Sequence, residues 1–255
     1  MIELTRRAFP LAAAASFAAF GADPTGRRTT RRIQLAGSDV RLITIEAGRG
    51  LTYFHPHENE HASAAVARAL VRERGGKLLE IESRGTRLIS FTLNGASYTF
   101  DPNRMFTEVG LQKSLANYSH SSAAAMDAIQ PLRDAVLSYL KHAGGPIVAV
   151  HNNAANGMNI GYYQGRGPFA KEAEDVARNA KAPAHDFFLV LDAKLFAALK
   201  QQGFNVVQQT ATPTDDGSLS VYCRQNGLRY VNVEAAEGHT DEQRRMLEVL
   251  QRLLR

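Results

Sequence analysis

The sequence is poor in cysteine and has no long hydrophobic run. Its 255 residues include one cysteine, Cys223, which excludes an intramolecular disulfide and a cysteine-rich zinc site. A metal ion would therefore have to be held by histidine, aspartate or glutamate side chains, and the eight histidines are the residues to follow. No segment beyond the first 24 residues approaches the roughly 18 apolar residues that a membrane-spanning helix requires.

Local concentrations of charge are also scarce. The chain has 30 basic and 25 acidic residues, and the formal net charge of +5 is spread along the sequence. No run of Lys or Arg is interleaved with aromatic residues, which argues against a dedicated nucleic-acid-binding protein. Hydrophobic residues make up 44% and charged residues 22% of the chain, and these fractions are typical of a soluble globular protein rather than a disordered or fibrous one.

The first 24 residues are typical of a bacterial export signal. Arg6 and Arg7 precede an alanine-rich apolar stretch at positions 11–20, and this order matches the twin-arginine type of signal. The alternative interpretation is a chance Arg-Arg pair before an amphipathic helix. We expect residues 1–24 to be cleaved, leaving residues 25–255 as a single periplasmic or secreted domain without a membrane anchor.

The rest of the sequence predicts an α/β fold with a mixed central sheet flanked by helices. Short apolar or alternating runs alternate with amphipathic stretches along the chain. The expected elements include a strand over 218–222, a helix over 169–179 and a last helix over 240–254 that opens with the capping-box pair Thr240 and Gln243. In such folds ligands bind at the carboxyl ends of the strands.

Residues with metal-ligand and acid-base chemistry follow several of the predicted strands. His57 and Glu60 are three positions apart, so that they would share one face of a helical turn, and His151 ends another strand. Two histidines and one carboxylate leave one position of a tetrahedral zinc site open for water, whose pKa zinc lowers to about 7. Glu234, at a further strand end, is the candidate general base, and Arg104 offers a planar cation for a substrate carboxylate.

Three short blocks carry a family resemblance. His-Glu-Asn-Glu at 57–60, Asn-Arg at 103–104 and His-Asn at 151–152, in that order, resemble the zinc carboxypeptidase superfamily. The nearest pattern is that of its aspartoacylase and succinylglutamate desuccinylase branch. The chain departs from that branch where Glu58 replaces a glycine and where Ala96 stands in the place of an arginine.

The resemblance implies a function and a set of site residues. It implies one zinc ion held by His57, Glu60 and His151. It also implies binding of a substrate carboxylate by Asn103 and Arg104, and proton transfer by Glu234. The implied fold is a mixed sheet of about eight strands flanked by helices. The arginine that would stabilise an oxyanion is not assigned by the motifs, and Arg84 and Arg87 are candidates by position alone.

These motifs predict an exported zinc hydrolase that cleaves an amide bond next to a free carboxylate. Export favours a metallocarboxypeptidase acting on short or murein peptides. The alternatives are an N-acyl amino acid amidohydrolase and a non-catalytic periplasmic peptide-binding protein. A further alternative is a metalloprotease of the H-E-x-x-H type using His57, Glu58 and His61. Pro56 argues against that last alternative, because a helix can begin only at about His57.

Overall fold

The computed structural model describes residues 26–154 and 156–254, and the expected export signal lies outside them. Within these ranges the backbone forms eleven strands: β1 (Arg27–Leu35), β2 (Ser38–Glu46), β3 (Thr52–His55), β4 (Lys77–Glu82), β5 (Ile89–Leu93), β6 (Ala96–Phe100), β7 (Ile147–Asn153), β8 (Ala173–Ala177), β9 (Phe187–Val190), β10 (Val206–Gln209) and β11 (Tyr230–Ala236). The same ranges contain six α-helices: α1 (His61–Arg74), α2 (Glu108–Tyr118), α3 (Ala123–Ala143), α4 (Ala193–Gln201), α5 (Leu219–Gln225) and α6 (Thr240–Leu253).

Nine of the described strands form one mixed sheet in the order β1-β2-β4-β3-β7-β11-β9-β10-β8. Its centre, from β4 through β3 and β7 to β11, is parallel, whereas β1 and β2 on one side and β9 and β8 on the other include antiparallel pairings. Strands β5 and β6 form a separate hairpin. The carboxyl ends of β3, β7 and β11 therefore lie side by side at one edge of the sheet.

Helices cover both faces of the sheet and bury two apolar cores. Helices α1, α4 and α6 pack on one face, where their apolar stripes meet the β-branched residues of the central strands. Helices α2, α3 and α5 and the β5–β6 hairpin cover the other face. Two layers of helix around a parallel centre are what the nearly continuous apolar strands require, because both of their faces have to be buried.

The predicted class, a mixed α/β sheet flanked by helices, is confirmed, with nine strands rather than about eight. The predicted strand over 218–222 is wrong, because Ser218 caps α5 by accepting a hydrogen bond from the backbone N–H of Val221. The predicted helix over 169–179 is also wrong, since β8 forms there by pairing with β10. Among the described residues, no helix is both long and apolar enough to cross a membrane.

Candidate metal centre and active site

Three adjacent parallel strands bring the expected metal-binding and catalytic residues together. His57 follows β3, His151 lies near the end of β7, and Glu234 stands opposite His151 in the register of β11. Strand spacing is about 4.8 Å, so consecutive strands present these side chains side by side. Glu60 completes the group from a turn closed by the hydrogen bond from its N–H to the carbonyl of His57 at 3.0 Å. This turn precedes α1, so His57 and Glu60 do not share a turn of that helix as the spacing suggested.

The two histidines converge on the carboxylate of Glu60. Nδ1 of His57 lies 2.8 Å from Oε1 of Glu60, and Nδ1 of His151 lies 3.1 Å from Oε2. One possible ligand atom from each of the three residues lies within 4.8 Å of the others, and all three side chains are buried. The structure thus brings together the three residues expected to bind zinc, and we name them the His57–Glu60–His151 cluster.

The opposite nitrogen of His57 faces a second carboxylate. Nε2 of His57 donates to Oδ1 of Asp101 at 2.8 Å, which fixes the orientation of the ring. Burial by itself raises the pKa of Asp101, but the hydrogen bond and charge of His57 outweigh it and hold this pKa well below its usual range. An outer carboxylate bonded to a ligating histidine is the usual support of a zinc site.

The charge of Glu60 is stabilised in the same way. Burial raises its pKa, but His57 and His151 together hold the pKa of this carboxyl well below its usual value. Burial lowers the pKa of His57, and the opposing pull of Glu60 and Asp101 makes the net change a rise. Behind the cluster, burial lowers the pKa of His55 to about 4, and Nε2 of this ring lies 3.0 Å from the backbone carbonyl oxygen of Glu60.

The donor set of the cluster fits a zinc ion. Two imidazoles and one carboxylate are ligands that zinc accepts in catalytic sites with an open fourth position. In the cluster both Nδ1 atoms already point at one carboxylate, and His57 has the supporting carboxylate of Asp101 behind it. Nε2 of His151 is buried without a hydrogen-bond partner among the described residues. The residues that would hold the ion are therefore His57, Glu60 and His151.

Arg87 is the arginine that reaches the cluster. Its Nη1 donates to Oε1 of Glu60 at 2.6 Å, and its Nη2 lies 3.4 Å from Oδ2 of Asp101. Its side chain is 46% exposed, so the guanidinium also faces the cavity beside the cluster. Arg84 lies on an exposed turn with a φ of 60° and makes no such contact. Of the two arginines proposed by position, the structure brings only Arg87 to the site.

A cavity of about 550 Å³ opens beside the cluster. Asn103 and Arg104, expected to bind a carboxylate, line it together with Glu234. Nη1 of Arg104 donates to the backbone carbonyl of Asn103 at 3.0 Å, and its Nη2 lies 3.6 Å from Oδ2 of Asp216. The ion pair with Asp216 holds the guanidinium of Arg104 near the cavity. Because such a long, partly exposed pair is weak, a substrate carboxylate can replace Asp216.

Glu234 is a buried carboxyl group with one side-chain hydrogen-bond partner in the part of the chain that the structure describes. Oε1 of Glu234 accepts a hydrogen bond from Nδ2 of Asn232 at 2.8 Å. Burial raises the pKa of Glu234, and repulsion from Glu60 adds to the rise, while His151 and Arg87 oppose it. A carboxylate with a raised pKa is a stronger base, so Glu234 is suited to accept and return a proton beside the metal-ligand cluster.

Besides His57, the H-E-x-x-H alternative needs Glu58 and His61, and both of these side chains point away from the cluster. His61 is exposed at the first residue of α1. The carboxylate of Glu58 accepts hydrogen bonds from the backbone N–H groups of Ser83 and Gly85. Neither side chain joins the cluster, which makes Glu58 a residue that holds the β4–β5 turn.

Two residues of the site were not singled out from the sequence. Asp101 stands two positions before Asn103, just ahead of the Asn-Arg block, and its role as the partner of His57 follows only from the fold. Asn232 precedes Glu234 by two positions on β11 and therefore shares its face of the strand. The two-residue spacing was the available signal for Asn232, and the Asp-Pro-Asn-Arg sequence was the signal for Asp101.

The chain is similar to several solved structures. The succinylglutamate desuccinylase/aspartoacylase from Rhodobacter sphaeroides is 13% identical, with 89% of this chain and 65% of that chain covered and a TM-score of 0.44. The ectoine utilization protein EutE (DoeB) from Ruegeria pomeroyi is 12% identical, with 88% and 65% covered and a TM-score of 0.45. The murein-tripeptide amidase MpaA from Escherichia coli O157 is 16% identical, with 96% and 98% covered and a TM-score of 0.49.

The chain spans 65% of the length of the first two of these structures and nearly all of the third. No protein-family model matches the sequence, and no curated protein does. The first structure bears the name of the branch that the sequence motifs resemble. At identities this low, the function of the chain has to be argued from its own side chains.

Proposed function

We propose that this protein is an exported zinc-dependent hydrolase that cleaves an amide bond adjacent to a free carboxylate, acting as a metallocarboxypeptidase on short or murein peptides. The observation that carries the proposal is the convergence of His57, Glu60 and His151 beside a cavity that also contains Glu234 and Arg104. Metal ligands, a buried proton carrier and a carboxylate-binding cation in one cavity are the parts that such a reaction needs.

Each group has a defined task in the proposed reaction. When bound by the cluster, a zinc ion supplies the Lewis acidity that polarises a carbonyl and lowers the pKa of water. Arg104 and Asn103 bind the substrate carboxylate and so position the scissile bond. Glu234 accepts a proton at its carboxylate and returns it to the leaving amine. Burial raises the pKa of Glu234, which makes its carboxylate a stronger base for the first of these transfers. Arg87 lines the cavity beside Glu60 and is the cation that we assign to a developing oxyanion.

The expected periplasmic location limits the classes of substrate that the hydrolase would meet. The twin-arginine-like start of the sequence supports export, and a periplasmic hydrolase meets cell-wall and imported peptides. The name of the murein-tripeptide amidase agrees with this substrate class. An N-acyl amino acid would satisfy the same carboxylate site, so the experiment has to compare both kinds of substrate.

The experiment combines metal analysis with peptide hydrolysis. The purified protein is expected to bind one zinc ion and to release C-terminal residues from murein tripeptides or tetrapeptides, followed by mass spectrometry. Glu234→Gln should lower turnover by about two orders of magnitude or more while zinc stays bound, because only the proton carrier is lost. Glu237→Gln is the matched control, since Glu237 is an exposed glutamate directly after the same strand.

Each alternative has its own outcome. Hydrolysis of N-acyl amino acids without release of peptide residues would identify an amidohydrolase. Peptide binding with no turnover in either the wild type or Glu234→Gln would identify a binding protein. Failure to bind zinc would remove the proposal altogether.

A further inference from the structure

Helix α1 begins without a cap from its own N-cap residue. Glu60 occupies that position, where a side chain commonly accepts a hydrogen bond from the backbone N–H of the third helical residue, here Ser63. Within the described residues, the Glu60 carboxylate makes no such bond and turns instead to His57 and His151. The residue expected to bind the metal ion therefore stands where a helix-capping side chain is expected.

Asn152 of β7 provides the missing cap. Its Oδ1 accepts a hydrogen bond from the backbone N–H of Ser63 at 2.8 Å. Only the oxygen end of an amide accepts from an N–H group, so the nitrogen end of Asn152 points the other way. There Nδ2 donates to Oε1 of Gln243, a fully buried residue in the first turn of α6, at 3.3 Å. The amide of Asn152 is thus fixed between the starts of two helices.

The backbone of Glu60 is held separately from its carboxylate. Its carbonyl oxygen accepts a hydrogen bond from Oγ of Ser63 at 2.9 Å and lies 3.0 Å from Nε2 of His55. The carboxylate in turn accepts a hydrogen bond at Oε2 from the backbone N–H of Asn152 at 3.1 Å. Because the backbone is fixed, the torsions of the Glu60 side chain alone decide whether its carboxylate faces the cluster or the helix.

The metal-ligand cluster and the start of α1 both attract this carboxylate. The N-terminal end of a helix favours a negative charge, and the backbone N–H groups of its first turn need acceptors. Ser63 is fully buried, so its N–H would be costly to leave unpaired. The bond from Ser63 to Asn152 satisfies this N–H without using Glu60.

From these contacts we propose that Asn152 is a positioning residue for the metal centre, which caps α1 in place of Glu60 and so leaves the Glu60 carboxylate free to bind the metal ion. The inference rests on the zinc site of the proposed function. The side chain of Asn152 acts through Ser63. Its backbone N–H, which bonds Glu60 directly, is present whatever side chain other than proline stands at this position.

Zinc affinity, measured by competition with a chelator, tests the role of Asn152. Asn152→Ala removes the cap and should weaken zinc binding by roughly fivefold or more, the factor that corresponds to the usual contribution of a helix N-cap, because zinc has then to withdraw Glu60 from Ser63. Asn152→Asp keeps an oxygen acceptor at the same position and should recover most of this loss. Equal zinc affinity in the wild type and Asn152→Ala, or no recovery in Asn152→Asp, would overturn the inference.

Asp192→Ala is the matched control for the loss of a helix cap. Asp192 caps α4 by accepting a hydrogen bond from the backbone N–H of Leu195 at 2.7 Å. It follows β9, which runs antiparallel to β11, so it lies at the opposite edge of the sheet from Glu234. Both Ala variants should lower the urea midpoint of the metal-free protein, but only Asn152→Ala should weaken zinc binding. An equal loss of zinc affinity in Asp192→Ala would show a general effect of stability and would overturn the inference.

Crystal structures of the metal-free wild type and of metal-free Asn152→Ala give a second readout that does not depend on zinc. In the variant, an oxygen of Glu60 should lie within hydrogen-bond distance of the backbone nitrogen of Ser63. A Glu60 carboxylate that stays on the two histidines, whether or not water replaces the lost amide, would overturn the inference. If the wild type binds no zinc, the proposed function fails, and the two crystal structures still decide whether Asn152 directs the Glu60 side chain.

Discussion

The two ends of helix α1 carry ion pairs of opposite kinds. At its start, Glu60 is 4% exposed and contacts two histidines and Arg87. At its end, Glu73 is 46% exposed and pairs with Arg244 of α6. Arg74 pairs in turn with Glu248 of the same helix at 2.6 Å. One helix therefore holds a buried cluster of charges and, about 20 Å away by the rise of a helix of this length, a solvent-exposed seam.

The burial of the charges at the start of α1, compared with the exposure of those at its end, indicates that the two groups have different roles. Exposed ion pairs contribute about 0–1 kcal/mol each, because water and salt screen them. Buried charges are costly to desolvate and are retained where their partners satisfy them fully. The start of α1 has such partners, and it borders the cavity, whereas the end of α1 lies against α6 at the protein surface. Burying the charges of the cluster therefore costs folding free energy, as is expected where the residues serve to hold a metal ion.

The largest expected effect comes from changing the same residue type at both ends of α1. Glu60→Gln should abolish zinc binding, because a neutral amide is a poor ligand for zinc. It should also lower the free energy of unfolding of the metal-free protein by about 3 kcal/mol, since it breaks a buried network. The matched variant Glu73→Gln should cost less than about 1 kcal/mol and leave zinc binding unchanged. Urea unfolding and zinc titration measure the two quantities.

Similar losses of stability in Glu60→Gln and Glu73→Gln would contradict the distinction between the two ends. Retention of full zinc affinity by Glu60→Gln would remove Glu60 from the ligand set and weaken the proposed function.

The next effect concerns the carboxylate behind the cluster. Asp101→Asn replaces the partner of Nε2 of His57 by an amide and should weaken zinc binding by roughly 10- to 100-fold, the effect typical of outer partners of a metal ligand. Asp134→Asn is the control, because Asp134 is 60% exposed and its ion-pair partner among the described residues is the neighbouring Arg133 at 3.3 Å. Equal zinc affinity in the two variants would show that the ring of His57 does not depend on Asp101.

A smaller effect of the same substitution appears in its pH dependence. The pKa of Asp101 is lower in the folded protein than its ordinary value of 3.8, so its charge stabilises the fold above that pH. The stability difference between the metal-free wild type and Asp101→Asn should be complete above about pH 3.8 and shrink as the pH falls further. Urea unfolding between pH 3 and pH 6, at about one-unit steps, measures it. A difference that grows on acidification would mean that the pKa of Asp101 is raised instead.

Parts of the site that depend on short sequence spacing were predictable. His57 and Glu60 lie within one turn, and His151 and Glu234 end apolar strands that are easy to recognise. That these strands are neighbours follows from the fold class, since ligands gather at the carboxyl ends of parallel strands. Arg87 has no such signal, because it reaches the cluster from the segment before the β5–β6 hairpin.

The outer parts of the sheet were not predictable by the same reasoning. Strand β1 reads Arg-Arg-Thr-Thr-Arg-Arg before its two apolar residues, and β8 is Ala-Glu-Asp-Val-Ala, so neither shows the apolar run of a buried strand. Both lie at the edges of the sheet, where charged side chains face solvent and also discourage pairing with other chains. The residues around β8 resemble a helix by composition, and only pairing with β10 makes them a strand.

The smallest expected effect is at the exposed seam itself. Glu248 contacts both Arg74 at 2.6 Å and Arg244 at 3.2 Å, so it is the shared acceptor of the seam. Glu248→Gln should lower the free energy of unfolding by about 0.5 kcal/mol, and by no more than about 1 kcal/mol, because these side chains are 24–38% exposed. The loss should nearly vanish in about 1 M NaCl, where the Debye length falls to about 3 Å, whereas the effect of Glu60→Gln should persist because buried charges are screened far less. A large loss of unfolding free energy in Glu248→Gln that does not depend on salt would show that the seam behaves like the buried cluster. It would contradict the distinction between the two ends of α1.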